Sequence, residues 1–286
     1  MLTRRTFLSG AAAGVAGATV MPGLVTAAQA AGPGPKIRVS SCSVGGLTAA
    51  KQAGLDGAEI GVGGPADTLQ IADPEVRRKY KDEMKETGLE VSSFIMGLFN
   101  GCPLASDPRG PAWLEQGIEA GGDLGADVLL IAFFGKGSLK SGDGVKKADV
   151  DVVVERIKAA APKAKEAGVI LGIENTLSAE DNMKILDRIG HDSVRIYYDC
   201  YNLAGQGYDV PAEIRLLKDK IAIFHFKNGK DYLETGKVKW DPIAAAMNDV
   251  GYKGWIVLET SSPSKDRIAD ARRNADYIRK LFGVKT

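Results

Sequence analysis

Val169-Ile170-Leu171-Gly172-Ile173-Glu174 is a short apolar run ending on a carboxylate, and three more runs of the same kind follow it. They are Val194-Arg195-Ile196-Tyr197-Tyr198-Asp199, Ile221-Ala222-Ile223-Phe224-His225 and Trp255-Ile256-Val257-Leu258-Glu259. Each is rich in β-branched or aromatic residues and bounded by turn or helix signals, which predicts a buried strand. Positions 174, 199, 225 and 259 are spaced by 25, 26 and 34 residues. A strand with its covering helix takes roughly 30 residues in a parallel sheet, so the runs read as consecutive βα units. Such units place their chemistry at the carboxyl ends of the strands, where Glu174, Asp199, His225 and Glu259 fall.

Taken singly, an acid at a strand end is an ordinary helix cap or a solvated loop residue. Taken together, three of the four share a phase with apolar residues two and four positions earlier, and Asp199 shares one with Tyr197. Gly172 and Ile170 lie on the Glu174 side, Ile223 and Ile221 on the His225 side, and Val257 and Trp255 on the Glu259 side. A carboxylate buried on such a face without a partner is costly. No equal number of Arg or Lys stands at matching strand ends, so one divalent cation held in common is the economical partner. Oxygen-rich ligation with one imidazole favours Mn²⁺ or Mg²⁺, with Zn²⁺ or Co²⁺ also compatible, and ligand type alone does not choose further; Mn²⁺ is the expected ion.

Outward from this stretch, the chain divides simply. Residues 1–30 read as a targeting segment: Thr3-Arg4-Arg5-Thr6-Phe7-Leu8, an Ala/Gly-rich run to Val25, and Ala28-Gln29-Ala30 as a cleavage site. The segment resembles a bacterial twin-arginine export signal, which predicts a periplasmic or exported protein. A membrane anchor fits less well, because Gly and Ala dominate the run and Pro22 interrupts it. Residues 31–35 are a flexible leader, and 36–286 form the folded domain. What remains gives about 32 residues to each of eight units, the size of a single (β/α)8 TIM barrel in the α/β class.

The earlier units follow the same alternation. Strands are predicted at residues 37–43, 57–62, 89–98 and 126–134, with helices at 47–53, 74–87, 112–124 and 151–167. Glu59 lies inside the second strand, where it either hydrogen-bonds a hydroxyl of a bound ligand or pairs with a barrel neighbour. Gly135 to Gly144 is long enough to serve as a lid. Ser178 is a good N-cap for a helix over 179–189, with Asp181 three residues on. Tyr201 to Tyr208 reads as a loop holding Asn202, and helices follow at 211–217, 240–250 and 263–282. Lys227, two residues beyond His225, points the same way if the strand continues.

Composition narrows the partners. The 286 residues carry 37 basic and 36 acidic side chains, a formal charge of +1. That balance makes no electrostatic case for nucleic acid or an anionic membrane. Three cysteines, Cys42, Cys102 and Cys200, lack metal-finger spacing and suggest no disulfide framework. Cys200 reads as a small buried thiol beside a ligand. Nothing in the sequence sets an oligomeric state, and a homo-oligomer is compatible with it.

Four stretches carry a family resemblance: residues 168–175, Tyr198-Asp199-Cys200-Tyr201-Asn202, His225-Phe226-Lys227-Asn228, and residues 251–259 ending Trp255-Ile256-Val257-Leu258-Glu259. They resemble the sugar phosphate isomerase/epimerase family, the xylose isomerase-like barrels that include ketose 3-epimerases and hydroxypyruvate isomerases. The resemblance covers the mature chain, most specifically from about 150 to 260. It implies that Glu174, Asp199, His225 and Glu259 bind one divalent metal, and that Glu174 and Glu259 form the acid/base pair on opposite faces of the substrate. The family often has Asp where this chain has Asn228. Its Gly-Glu-Gly loop corresponds to Glu234-Thr235-Gly236-Lys237-Val238-Lys239-Trp240. A His that holds substrate three positions after the Asp ligand is replaced by Asn202. The expected substrate contacts are therefore Glu59, Asn202, Lys227 and Lys237.

The implied activity is abstraction of a proton next to a carbonyl in an unphosphorylated sugar or related keto compound. Export argues against phosphorylated substrates, which belong to cytoplasmic metabolism. The same proton abstraction could instead end in β-elimination of a 3-keto-glycoside, and a non-catalytic exported sugar-binding protein is the third reading. An abasic-site nuclease on this barrel needs a His-rich metal cluster, whereas the chain has only His191 and His225.

Overall fold

A computed structural model describes residues 37–142 and 144–284. The export signal at 1–30 and the leader at 31–35 lie outside the described residues. Eight parallel strands alternate with helices: β1 (Arg38–Ser41), β2 (Gly57–Gly61), β3 (Glu90–Met96), β4 (Val128–Ala132), β5 (Ile170–Glu174), β6 (Val194–Asp199), β7 (Ile221–Phe226) and β8 (Trp255–Leu258). Each strand pairs with the next from β2 round to β8, and β8 pairs with β1. Across the remaining seam, Asp56 N donates to Val39 O and Val39 N to Asp56 Oδ2, both at 2.8 Å. The result is the (β/α)8 barrel expected from the sequence.

The first six helices are α1 (Leu47–Gln52), α2 (Pro74–Thr87), α3 (Gly110–Leu124), α4 (Lys147–Glu166), α5 (Ala179–Ile189) and α6 (Cys200–Gly205), and local chemistry accounts for their boundaries. In α2 (Pro74–Thr87) the Asp73 carboxylate accepts from Glu75 N, Pro74 opens the first turn, and Gly88 ends it at φ 69°. A left-handed residue at that point suits Gly, which has no Cβ to clash. In α5 (Ala179–Ile189) Ser178 Oγ accepts from Asp181 N and Gly190 closes the helix at φ 65°. The stretch expected as a loop after Asp199 is instead a helix, α6 (Cys200–Gly205). Asp199 Oδ1 accepts from Asn202 N at 2.7 Å and so caps it. A ligand-type Asp is thus also a good N-cap, a role periodicity does not reveal.

The proposed lid is more ordered than a plain loop. A tight 3₁₀ turn at Gly135–Gly137 leads to a two-residue antiparallel ribbon, Lys140–Ser141 with Gly144–Val145. Lys140 Nζ then reaches Gln206 Oε1 at 2.8 Å and the Tyr208 hydroxyl at 3.2 Å. The segment is strapped to the exit of α6.

Apolar packing forms two layers. The larger lies between strands and helices; the smaller fills the barrel and holds Val128, Leu130, Tyr197, Ile223, Trp255 and Val257. The phase argument for β5 and β8 agrees with this division, since Ile170, Trp255 and Val257 pack inside. For β7 it fails at Ile221, which packs in the outer layer while Ala222 faces inward. The reason is a register shift against β6: Ile196 pairs with Ile221 but Tyr197 with Ile223. One extra residue on β7 exchanges its two faces. A second shift sets Ala58 against Val91 but Glu59 against Ser93.

Gly172 lies two residues below Glu174 on the inner face. A Cβ there would stand 2.8 Å from Val128 Cγ1 and 3.3 Å from Tyr197 Cβ. We expect Gly172→Ala to cost about 1–3 kcal/mol through overpacking. A melting temperature unchanged by calorimetry would show that the floor beneath the site yields freely.

Candidate metal centre

The four ligand-type residues meet at the strands' carboxyl ends. Glu174 and Asp199 close β5 and β6, His225 is the penultimate residue of β7, and Glu259 follows β8 directly. Glu259 N donates to Phe226 O at 3.1 Å, which ties it to the strand bearing His225. One donor atom from each of the four lies within 4.8 Å of the others. From His225 Nδ1 the carboxylate oxygens stand at 3.2 Å (Glu174), 3.5 Å (Glu259) and 4.0 Å (Asp199). Three of the side chains are buried, while that of Glu259 is 36% exposed.

The residues fit a divalent cation on grounds of charge and of geometry. Asp199 Oδ1 is used in capping α6, but its buried Oδ2 has no hydrogen-bond partner. Lys227 Nζ approaches that oxygen at 2.9 Å without hydrogen-bond geometry, and donates to Glu259 Oε2 at 2.6 Å. Burial pushes the Glu174 carboxyl up to about 7, and it raises Asp199 as well. Burial opposes the charge of Glu259 too, yet His225 and Lys227 outweigh it and hold that carboxyl below its usual range. Burial also opposes a charged His225, but Glu59 and Glu174 prevail and raise its pKa well above the ordinary value. Without a cation, the site offsets its negative charge by gathering protons, which is the condition a metal would relieve.

The other predicted residues fare differently. Glu59 takes the second of its two readings: Oε2 accepts from Ser93 and Tyr197 hydroxyls at 2.7 Å each, and Oε1 lies 3.1 Å from His225 Nε2. Both oxygens are engaged inside the barrel, and Glu59 is not among the residues lining the cavity, where a substrate contact is expected from the sequence. Asn202 and Lys227 do line the cavity above the centre, with Ile95, Asn100, Ala132, Phe134, Glu174 and Glu259. Lys237 is exposed and is not among those lining residues. Asn228, at the position where Asp was expected, donates to Leu233 O at 2.9 Å and accepts from Val238 N at 3.0 Å. A carboxylate could accept but not donate, so the amide suits this loop staple. Cys200 is fully buried, as expected of a small thiol.

The cavity itself measures about 300 Å³. Its wall of Ile95, Ala132 and half-buried Phe134 went unnoticed in the sequence, although Ala132 and Phe134 continue the inward phase of Val128 and Leu130. Lys227 is the one cation among the lining residues, and Glu259 and Asp199 already engage it. A wider cleft of about 500 Å³ opens where the strands begin, lined by Arg38, Asp127, Arg195 and Trp255 among others. It lies at the end opposite the four ligand-type residues.

This chain belongs to the xylose isomerase-like TIM barrel family, whose pattern matches residues 47–281. A curated relative, 2-epi-5-epi-valiolone 7-phosphate 2-epimerase of Actinoplanes sp., is 20% identical over 174 residues, 60% of this chain. The match spans 62% of that relative's length, less than two thirds of it. Among solved structures, an L-ribulose 3-epimerase is similar at TM-score 0.71 and 22% identity, over 87% of this chain and 95% of that one. A D-allulose 3-epimerase from Methylomonas sp. is similar at 0.72 and 16%, over 86% and 98%. A 3-keto-D-glucoside 4-epimerase from E. coli gives 0.72 and 16%, over 86% and 100%. At these identities the structural likenesses speak to fold.

Removing metal with a chelator should lower the melting temperature, and re-addition should restore it. Saturation at a hundred times Kd is worth about 2.7 kcal/mol. In His225→Ala the chelator should make no difference. Equal metal content in that variant and the wild type, by elemental analysis, would remove His225 from the ligand set.

Proposed function

We propose that the protein is a divalent-metal-dependent isomerase or epimerase acting on an unphosphorylated sugar or a related keto compound. The observation that carries this is the convergence of Glu174, Asp199, His225 and Glu259 under a small, partly apolar cavity. Membership of the xylose isomerase-like family and its likeness to proteins named as sugar epimerases favour the same chemistry. A proton beside a carbonyl is too weakly acidic to leave unaided at neutral pH. A bound divalent cation, Mn²⁺ by preference, would supply electrostatic stabilisation of the negative charge that develops on substrate oxygens.

The chain's residues do the rest. Glu174 and Glu259 both line the cavity, one to take the proton from carbon and the other to return it on the opposite face. Lys227 is placed to steady a substrate oxygen, and Asn202 offers an amide in place of the family's His. Phe134 and Ile95 can cover the apolar face of a sugar ring, since carbohydrates stack their C–H face on such walls. A cavity of about 300 Å³ with no spare cation suits a neutral substrate of about monosaccharide size better than a phosphate ester. We further propose that residues 1–30 direct export by the twin-arginine route, where free sugars and keto-glycosides are the available substrates.

A panel of ketoses and keto-glycosides incubated in D₂O tests the proposal. The expected result is solvent deuterium entering one substrate and an isomer of equal mass. Glu174→Gln and Glu259→Gln should each cut exchange by about 10²–10⁴-fold with the fold retained by circular dichroism. Exchange at the normal rate in both variants would remove the acid/base assignment. Two fragments in place of an isomer would make the protein a lyase, and tight binding without exchange would make it a binding protein.

A further inference from the structure

We propose that Glu59 is the positioning residue of the metal centre, a carboxylate beneath His225 that accepts the hydrogen bond of imidazole Nε2–H and so leaves Nδ1 for the cation. The inference rests on the metal reading above. It concerns a residue on β2, far in sequence from the four ligands.

A neutral imidazole has one donor nitrogen and one acceptor, and a metal takes the acceptor. Which nitrogen is which depends on the partner of the other one. On the Nδ1 side of His225 lie the oxygens of Glu174, Glu259 and Asp199. On the Nε2 side, Glu59 Oε1 stands at 3.1 Å. A carboxylate accepts and cannot donate, so the proton belongs on Nε2.

Glu59 is itself held from three directions. It is 5% exposed, and the hydroxyls of Ser93 and Tyr197 both donate to its Oε2 at 2.7 Å. The Tyr197 ring also packs on the imidazole, with centroids 4.5 Å apart. Both register shifts in the sheet serve this group: one sets Ser93 opposite Glu59, the other Tyr197 opposite Ile223 and Asp199 opposite His225. Bulges re-aim side chains in this manner beside active sites. A fourth carboxylate buried close to three others is unfavourable for packing alone. Its charge has a use when an imidazole must be fixed in one tautomer and one orientation.

Cys42 Sγ also lies within 4.8 Å of the Glu59 and His225 donors. Those three could be read as a second metal site. The commitment of both Glu59 oxygens to hydroxyl and imidazole donors argues for the hydrogen-bonded arrangement, with Cys42 as a neighbour.

Calorimetric titration of the metal-free full chain with Mn²⁺, and separately with Zn²⁺, decides the matter. The amide of Glu59→Gln can donate to Nε2 and favour the wrong tautomer. Mn²⁺ affinity should therefore fall about 10- to 100-fold, with circular dichroism unchanged. Nitrogen-15 histidine spectra should show His225 protonated on Nε2 in the Zn²⁺-loaded wild type. Tyr197→Phe, which removes one of the two hydroxyls on Oε2, should weaken Mn²⁺ by about fivefold and decides the case if Glu59→Gln does not fold. Wild-type binding with both variants within about twofold of it would overturn the role of Glu59 while leaving the metal reading intact. No metal uptake by the wild type would overturn both. A second equivalent of Zn²⁺, lost in Cys42→Ser, would put a metal where the proton is assigned and also overturn the proposal.

Discussion

Like charge gathered at the mouth of a closed barrel is the constraint on which the rest of the structure turns. Glu174, Asp199 and Glu259 present oxygens to a single imidazole, and Glu59 lies against its other side. Two unit charges 4 Å apart interact by about 4 kcal/mol at an effective dielectric of 20. Several such repulsions, with the desolvation of each acid, exceed what Lys227 alone can offset. The protein therefore has three ways to settle the charge: protonate Glu174, keep His225 cationic, or bind a divalent ion. The first two remain available near neutral pH, because burial has moved Glu174 to about 7 and the acids have raised His225. The third would satisfy every ligand-type group at once, including the Asp199 oxygen that no hydrogen bond engages.

The scaffold holds these groups in place by giving their neighbours more than one task. Asp199 caps α6 with one oxygen and turns the other to the centre. Asn228 closes the loop after β7 by donating and accepting at once, and Gly236 passes so near its amide that a Cβ would overlap it. The loop that leaves Glu259 is gathered by Asp270, which accepts from Ser262, Ser264 and Tyr232. Those hydrogen bonds keep the Asp270 carboxyl below its usual range despite the opposing desolvation. The ligands are thereby fixed by loops that are individually stapled. The site does not depend on strand geometry alone.

The barrel and its four ligand-type residues were legible because period and spacing report them. An apolar run ending in an acid or a histidine every 25 to 34 residues survives any detail of register. The details that failed were those governed by pairing between distant strands. Counting in twos puts Ile221 on the inner face, and a single extra residue on β7 moves it out. The chemistry of Asp199 as a ligand type hides its role as a cap, so the helix that holds Asn202 reads as a loop. Glu59 was visible as an acid inside a strand, but its partners Ser93, Tyr197 and His225 lie 34, 138 and 166 residues away. Sequence alone gives no register between such elements. The apolar wall had a weak signal in the inward phase of β4, hidden because apolar residues need no special account.

The distribution of cations bears on what the cavity can accept. Recognition of a phosphate calls for a guanidinium, an ammonium or free backbone amides directed at it. Here the one ammonium among the described lining residues is held by Asp199 and Glu259, and the rest of the lining is carboxylate, amide or apolar. Arg38, Arg195 and Lys253 line the cleft at the other end of the barrel, a full strand length from the ligands. On the proposed function, a dianionic group brought beside three carboxylates would meet repulsion that only the proposed cation could offset. A neutral polyol would meet none of it, with Asn202, Asn100 and Lys227 to exchange hydrogen bonds with its hydroxyls and Phe134 beside its carbon face. The crowding of acids that suits a bound cation would thus also disfavour charge on the substrate.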